Sequence, residues 1–368
     1  METLNQRLTK LSTWLKKENI DVAFITSPDN VFYLTGFLSE PHERLLGLAV
    51  FQEEEPFLVC PAMEVNDAKN VGWNNEIIGY SDTDKPWDFV ESRIKARNIN
   101  VRKFAIEKEN LNVERYEELI SRFEGAVFSS AEAILHELRL VKDESEMKLL
   151  RKACELADFA VEVGVNAIAE GKSEFDIIAE IEYEVKKKGV SGMSFDTMVL
   201  TGKNAASPHG TPGQTKIKKG DLVLFDLGVI YEGYCSDITR TVAYGDITAE
   251  QEKIYNTVLQ AEETAVQAVK PGVRAMDLDK IARDIIHNAG YGDYFPHRLG
   301  HGLGISVHEY PSMTATNELQ LKPGMVFTIE PGIYVPEVAG VRIEDDVLVT
   351  ENGVEVLTKF PKNLQVIN

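Results

Sequence analysis

Residues 221–241 read D-L-V-L-F-D-L-G-V-I-Y-E-G-Y-C-S-D-I-T-R-T. Two apolar runs lie on either side of a glycine-bearing turn, a pattern that predicts a β-hairpin. Asp226 sits inside the first run, where an ionised carboxylate is costly unless something compensates it. Asp237 sits in the second run. A hairpin centred on Tyr231 and Glu232 sets the two aspartates face to face on one side of the sheet. Like charges directly opposite are destabilising, so the pair calls for a cation or a shared proton.

Moving outward, residues 222–229, 234–242, 325–330 and 341–349 read as strands, interrupted by helices over 249–269 and 276–289. Upstream, residues 131–140, 144–170 and 173–188 carry helical periodicity, with Asp143 or Ser145 and then Ser173 as capping residues. Helices grouped against a mainly antiparallel sheet give an α+β layer. The strand M-V-F-T-I-E-P-G delivers Glu330 just before a Pro-Gly turn. The strand V-R-I-E-D-D-V-L-V puts Arg342 and Glu344 two apart, on one face by strand alternation. Residues 297–308, H-R-L-G-H-G-L-G-I-S-V-H, hold three of the chain's 7 histidines, with glycines on both sides of His301. This segment reads as a loop leading into a strand, with imidazoles carried on an unusual backbone path.

The first part of the chain has a different texture. Short apolar runs at 22–26, 46–51 and 56–59 alternate with helical patterns at 87–97 and 113–123, which favours an α/β layer. Leu4, Leu8, Leu11 and Leu15 recur at helical spacing, so the N-terminus reads as a packing helix and not as a signal peptide. No glycine loop suited to phosphate is present. The loop S-E-P-H-E-R at 39–44 concentrates His42 and Arg44 with two glutamates. A length of 368 residues exceeds one core; the division is expected near 130, giving domains 1–130 and 131–368. With 59 acids against 39 bases the net charge is -20, which argues against nucleic acid or an anionic membrane as partner. No apolar run reaches membrane-span length. Three dispersed cysteines, Cys60, Cys154 and Cys235, make no disulfide framework and point to a reducing compartment, the cytoplasm.

Four carboxylates and an imidazole suit divalent Mn, Co, Fe or Zn better than a soft thiolate site would. Five such ligands suit two ions, which about 3.5–4 Å apart can clamp a hydrolytic water and polarise a carbonyl. At this point the residues themselves carry a resemblance. The local sequences FDLG, CSDITRT, GHGLG, TIEPG and RIEDD, in this order, resemble the pita-bread metallopeptidases, a family that includes methionine aminopeptidase, aminopeptidase P and prolidase.

The resemblance covers essentially the whole chain and implies a creatinase-type α/β domain followed by a pita-bread domain. It also implies that Asp226, Asp237, His301, Glu330 and Glu344 bind two divalent ions, manganese first, with cobalt, zinc or iron as alternatives. Asp237 and Glu344 are the implied bridges, with a water or hydroxide between the metals. His209, in S-P-H-G, matches a histidine near the substrate carbonyl; His297 and His308 match pocket histidines, and Arg342 a supporting arginine. His136 and His287 match nothing. The implied chemistry has the hydroxide attack the carbonyl, His308 or His209 stabilise the oxyanion, and Glu330 carry a proton to the leaving nitrogen. The segment F-I-T-S-P-D-N-V-F-Y-L-T-G-F and the S-E-P-H-E-R loop are similar to those of bacterial prolidases. That branch implies cleavage of Xaa-Pro dipeptides, and the family implies a homodimer. A dipeptidase must bind a free carboxylate, for which Arg298, His42 and Arg44 are the candidates, the loop being supplied by the second copy. The alternative within the family is an Xaa-Pro aminopeptidase acting on longer peptides.

Overall fold

A computed structural model describes residues 4–97, 99–207 and 210–368. The chain forms two compact units, Met1–Arg139 and Leu140–Asn368.

In the first unit the leucine spacing produces α1 (Leu4–Glu18), which buries Leu8, Leu11 and Leu15. There follow β1 (Val22–Ile25), α2 (Pro28–Thr35), β2 (Gly47–Phe51), β3 (Phe57–Pro61), α3 (Val65–Asn70), β4 (Glu76–Tyr80), α4 (Pro86–Lys95), β5 (Lys103–Ile106), α5 (Val113–Arg122), β6 (Val127–Ser130) and α6 (Glu132–Leu140). The six strands form one sheet in the order β4-β3-β2-β1-β5-β6. Its β1/β2 and β2/β3 pairs are antiparallel, and its β3/β4, β1/β5 and β5/β6 pairs are parallel. The core is aromatic and aliphatic, built around Phe24, Phe51, Phe57, Trp87 and Phe104. Glu107 is a buried charge here, and it caps: its carboxylate accepts from the Ser27 backbone N at 2.8 Å and from Asn30 Nδ2 at 2.7 Å, at the start of α2. Strands β4 and β6 are not visible as apolar runs because they are partly exposed and carry polar residues, and β5 because it opens on a lysine.

The second unit opens with α7 (Glu144–Asn166), capped by Asp143 in a capping box with Glu146, and α8 (Glu174–Lys187), capped by Ser173. Next come β7 (Gly192–Met193), β8 (Met198–Thr201), β9 (Asp221–Leu227), β10 (Val229–Tyr231), β11 (Tyr234–Cys235), β12 (Ile238–Tyr244), α9 (Ala249–Gln267) and α10 (Ala275–Asn288). The chain finishes with β13 (Gly300–Gly302), β14 (Glu309–Met313), β15 (Val326–Ile329), β16 (Gly332–Val335), β17 (Ala339–Arg342), β18 (Asp345–Val349), β19 (Val354–Val356) and β20 (Val366–Ile367). The two larger sheets run β20-β12-β9-β8 and β14-β13-β15-β18-β19, antiparallel except for β12/β20. A bridge between Thr239 and Glu344 connects them. Helices α7 and α8 pack on Phe225, Leu227, Ile238 and Val242, while α9 and α10 cover Phe327, Ile329, Val341 and Val347. Among the described residues no helix is long and apolar enough to cross a membrane.

The hairpin register differs from the expectation. The turn is Glu232–Gly233, both at positive φ (47° and 84°), the conformation of a two-residue type I′ turn. Tyr231 therefore pairs with Tyr234, and Asp226 lies opposite Thr239 instead of Asp237. The two aspartates are diagonal neighbours on one face.

Candidate metal centre

Alternation places each candidate. Phe225 and Leu227 enter the core under α7 and α8, so Asp226 between them points to the opposite face of β9. Asp237 precedes β12, and its backbone N donates to Asp346 Oδ2 at 2.9 Å. His301 is the middle residue of β13, whose neighbours Gly300 and Gly302 leave no side chain on the other face. They cannot carry one: a Cβ on Gly300 would come within 1.9 Å of the Thr328 carbonyl oxygen, and one on Gly302 within 2.4 Å of that of Tyr310. Within 297–308 the strand is three residues long, with residues 297–299 leading into it and 303–308 forming a loop that leads into β14. Glu330 leaves the end of β15, its backbone N donating to the Leu299 carbonyl at 2.8 Å. Glu344 falls in the break between β17 and β18, held by its backbone N on the Thr239 carbonyl at 3.1 Å.

Among the described residues, Asp237, His301 and Glu344 converge, offering ligand atoms all within 4.8 Å of one another. His301 Nε2 lies 3.6 Å from Asp237 Oδ2 and 3.4 Å from Glu330 Oε1. The other imidazole nitrogen, Nδ1, faces the Gly302 carbonyl at 3.1 Å, a contact that puts the proton on Nδ1 and the lone pair on Nε2. Burial pushes the His301 pKa down to about 3, so the ring is neutral. Asp226 is also in this neighbourhood, but its Oδ2 is held by the Arg342 guanidinium. Arg342 also donates to Thr239 Oγ1 at 3.1 Å and to the Tyr334 hydroxyl at 2.6 Å. Thr239 in turn donates to Glu344 Oε2 at 2.6 Å.

The remaining candidates divide. His308 places its ring 4.2 Å from that of His301, centroid to centroid, with its pKa lowered by burial and by Arg298. Arg298 is half-buried, with Nη1 on Ser312 Oγ at 3.2 Å. In His297 both ring nitrogens are engaged, by the Arg298 carbonyl at 2.8 Å and the Tyr334 hydroxyl at 3.0 Å. His209 lies outside the described residues. His42, at φ 55°, and Arg44 belong to the first unit, where Arg44 Nε bonds Asp82 Oδ1 at 2.8 Å.

Do these residues fit a metal? Asp237 Oδ1 and Glu344 Oε1 are buried oxygens with no hydrogen-bond partner among the described residues. Buried polar atoms in proteins are almost always paired, so two orphans beside one imidazole mark a place built for something else. Burial, then Glu344 and Asp226, raise Asp237 well above the carboxylate range; burial, then Glu330 and Asp226, do the same for Glu344. Burial lifts Glu330 to about 7. Oxygen donors with one nitrogen, short of positive charge, match a borderline-hard dication.

Several members of this region were not anticipated. Thr239 had a signal, being two residues beyond Asp237 and so on the same face. Tyr334 had none. Asp345 and Asp346, inside the run R-I-E-D-D, are both fully buried. Asp345 accepts from Arg240 Nη2 at 2.7 Å, Thr358 Oγ1 at 2.8 Å and Lys362 Nζ at 2.6 Å, and Lys362 also bonds Glu262. Arg240 donates as well to the carbonyls of Thr239 and Glu344. These partners lie too far apart in sequence to be paired by inspection.

Known proteins resemble this chain over nearly its whole length. The sequence pattern of metallopeptidase family M24 matches residues 148–351, and that of the creatinase/prolidase N-terminal domain matches 7–141. YkvY of Bacillus subtilis (strain 168), provisionally named a dipeptidase, is 59% identical over 361 residues, which is 98% of this chain and 99% of that protein. The crystal structure of a prolidase from Thermococcus sibiricus superposes with a TM-score of 0.94 at 37% identity, over 100% of both chains. That of an Xaa-Pro dipeptidase from Bacillus anthracis gives 0.93 at 33% identity, over 99% of this chain and 100% of the other. The chain belongs to metallopeptidase family M24, in its two-domain form with a creatinase/prolidase N-terminal domain.

Proposed function

We propose that this chain hydrolyses Xaa-Pro dipeptides, with two divalent ions, manganese first among them, held by Asp226, Asp237, His301, Glu330 and Glu344. The observation that supports this most strongly is the pair of buried carboxylate oxygens, without partners among the described residues, near a neutral imidazole. The ions, when bound, polarise the scissile carbonyl and acidify the attacking water. The rest of the work falls to the side chains. Thr239 occupies Glu344 Oε2 and leaves Oε1 free for an ion. Arg342 fixes Asp226, and His297 fixes Arg342 through the Tyr334 hydroxyl they share. Glu330 takes a proton from the water at its carboxylate and passes it to the prolyl nitrogen as the C–N bond breaks. His308 and His209 donate to the carbonyl oxygen as it gains charge.

Arg298 meets the free carboxylate of the dipeptide, and the turn carrying His42 and Arg44 reaches it from the second copy in a homodimer. Three buried free cysteines suit a reducing cytoplasm.

The deciding experiment chelates the protein, reloads it with manganese, and compares Ala-Pro with Ala-Pro-Pro as substrates. Ala-Pro should be cleaved faster by about a hundredfold or more. Release of the first residue from the tripeptide at the higher rate would make the protein an Xaa-Pro aminopeptidase. Cleavage of neither, with metal bound, removes the peptidase reading. Arg298→Ala and Arg44→Ala should each raise KM for Ala-Pro by about tenfold; KM unchanged in both disproves the carboxylate assignment.

A further inference from the structure

Lys142 is almost wholly buried, with a side chain 1% exposed, and it lies between α6 and α7, far from the metal centre in sequence. A buried ammonium needs a counter-charge, and here it is the Glu309 carboxylate, 6% exposed, 3.3 Å from Lys142 Nζ. Glu309 follows His308 directly. Its other oxygen accepts from the Ser306 backbone N at 3.0 Å, folding the side chain back over the loop it has just left. Gly304 lies against the same carboxylate, where a Cβ would come within 2.9 Å of Oε1. The far side of this loop is tied to β11: the Cys235 backbone N donates to the Gly304 carbonyl at 2.7 Å, and the Cys235 thiol to that of Ile305 at 3.2 Å. Between these two fastenings the chain passes from His301 to His308, and the rings end 4.2 Å apart.

We propose that Lys142 is a positioning residue for His308: by neutralising Glu309 it keeps the 304–309 turn closed and so aims the His308 imidazole at the substrate carbonyl beside His301. Lys142 touches neither substrate nor metal ligand. It acts by making a closed, buried Glu309 stable. With the ammonium gone, the buried carboxylate loses its counter-charge, the turn opens to hydrate it, and His308 leaves its place. A misplacement of about 1 Å at a reacting centre costs up to roughly 100-fold in rate.

The activity arm of the test rests on the dipeptidase reading; the spectroscopic arm does not. Lys142→Met, Lys142→Arg, Glu309→Gln and the double variant Lys142→Met/Glu309→Gln are compared with the parent chain. In manganese-loaded protein, Lys142→Met should lower kcat for Ala-Pro by roughly 10- to 100-fold, with KM and the manganese dissociation constant within about twofold of the parent. Lys142→Arg keeps the charge and should retain most of kcat. The double variant, which has no buried charge to strand, should recover most of what Lys142→Met loses. In chelated protein carrying labelled histidine, the ring-to-ring nuclear Overhauser effect between His301 and His308 should vanish in Lys142→Met and persist in Lys142→Arg. A Lys142→Met protein that is less thermostable but keeps its kcat and its ring-to-ring signal reduces Lys142 to a structural part. Loss of manganese affinity in step with kcat also overturns the proposal, since the effect then lies at the metal. If the parent cleaves no dipeptide, the function reading fails, and the signal in the chelated variants still decides the role of Lys142.

Discussion

Glu344 and Asp345 are adjacent in sequence and both fully enclosed, yet their surroundings are opposite. Glu344 has one oxygen on Thr239 and the other without a partner among the described residues, and burial with nearby carboxylates lifts its pKa well above the usual range. Burial alone would lift Asp345 in the same way, but Arg240 and Lys362 hold it down to about 2. Two cations compensate Asp345, whereas Glu330 and Asp226 crowd Glu344 with like charge. A buried carboxylate therefore does not announce a metal. Missing compensation marks a candidate only where an imidazole and other carboxylates converge on it, since Asp346 Oδ1 is also buried without a partner among the described residues.

The comparison can be broken in four ways, of decreasing size. Glu330→Gln removes the proton carrier from the uncompensated side and should abolish turnover, by about 1,000-fold or more, with folding intact; substantial residual activity in the loaded variant excludes Glu330 from an essential role. On the compensated side, Asp345→Asn strands Arg240 and Lys362 and should cost about 3–5 kcal/mol in urea unfolding of the chelated protein. By contrast Asp237→Asn, in the same assay, should stabilise the chelated protein, because it deletes an unpaired buried charge; a loss of stability there would mean that Asp237 is compensated after all.

The third effect is a pH dependence. Glu330 has a folded pKa raised to about 7 against an ordinary value of 4.5, so its contribution is present below about pH 4.5 and is lost as pH rises to about 7. Asp345, depressed to about 2 from 3.8, works the other way, contributing above about pH 4 and losing it as pH falls towards 2. Urea midpoints of chelated protein should therefore fall between about pH 4.5 and 7, and Glu330→Gln should flatten part of that slope. Manganese at a thousand times its dissociation constant adds about 4 kcal/mol and should mask the decline. The smallest effect is Thr239→Val, which frees Glu344 Oε2 and should lower manganese affinity by about tenfold in calorimetric titration.

The uncompensated residues were the legible ones. Asp226 stands out because it interrupts an apolar strand and Asp237 because it follows eleven residues later across the turn; Glu330 and His301 sit beside a turn and glycines visible by eye, and Glu344 is two residues from Arg342 within a strand pattern. The helices of the second unit and its antiparallel layering follow from periodicity and caps, Asp143 and Ser173 among them. The register at Asp226 did not follow, because it depends on Glu232 adopting a positive φ that few non-glycine residues take. Neither did Arg240–Asp345, 105 residues apart, or Lys142–Glu309, 167 apart, since only tertiary folding brings such charges together. In the first unit, β4 to β6 carry too few apolar residues for a run to be seen.

The bare face of β13 has a consequence for how this chain tolerates change. At Gly300 and Gly302 even the smallest side chain, alanine, meets a backbone oxygen that no rotamer change can move aside. In a library of random variants these two positions should behave as ligands do, silent in every active clone, although neither touches a metal or a substrate. Selection for activity alone will therefore overstate the size of the centre, and separating ligands from their packing neighbours needs a screen that scores folded but inactive protein as well.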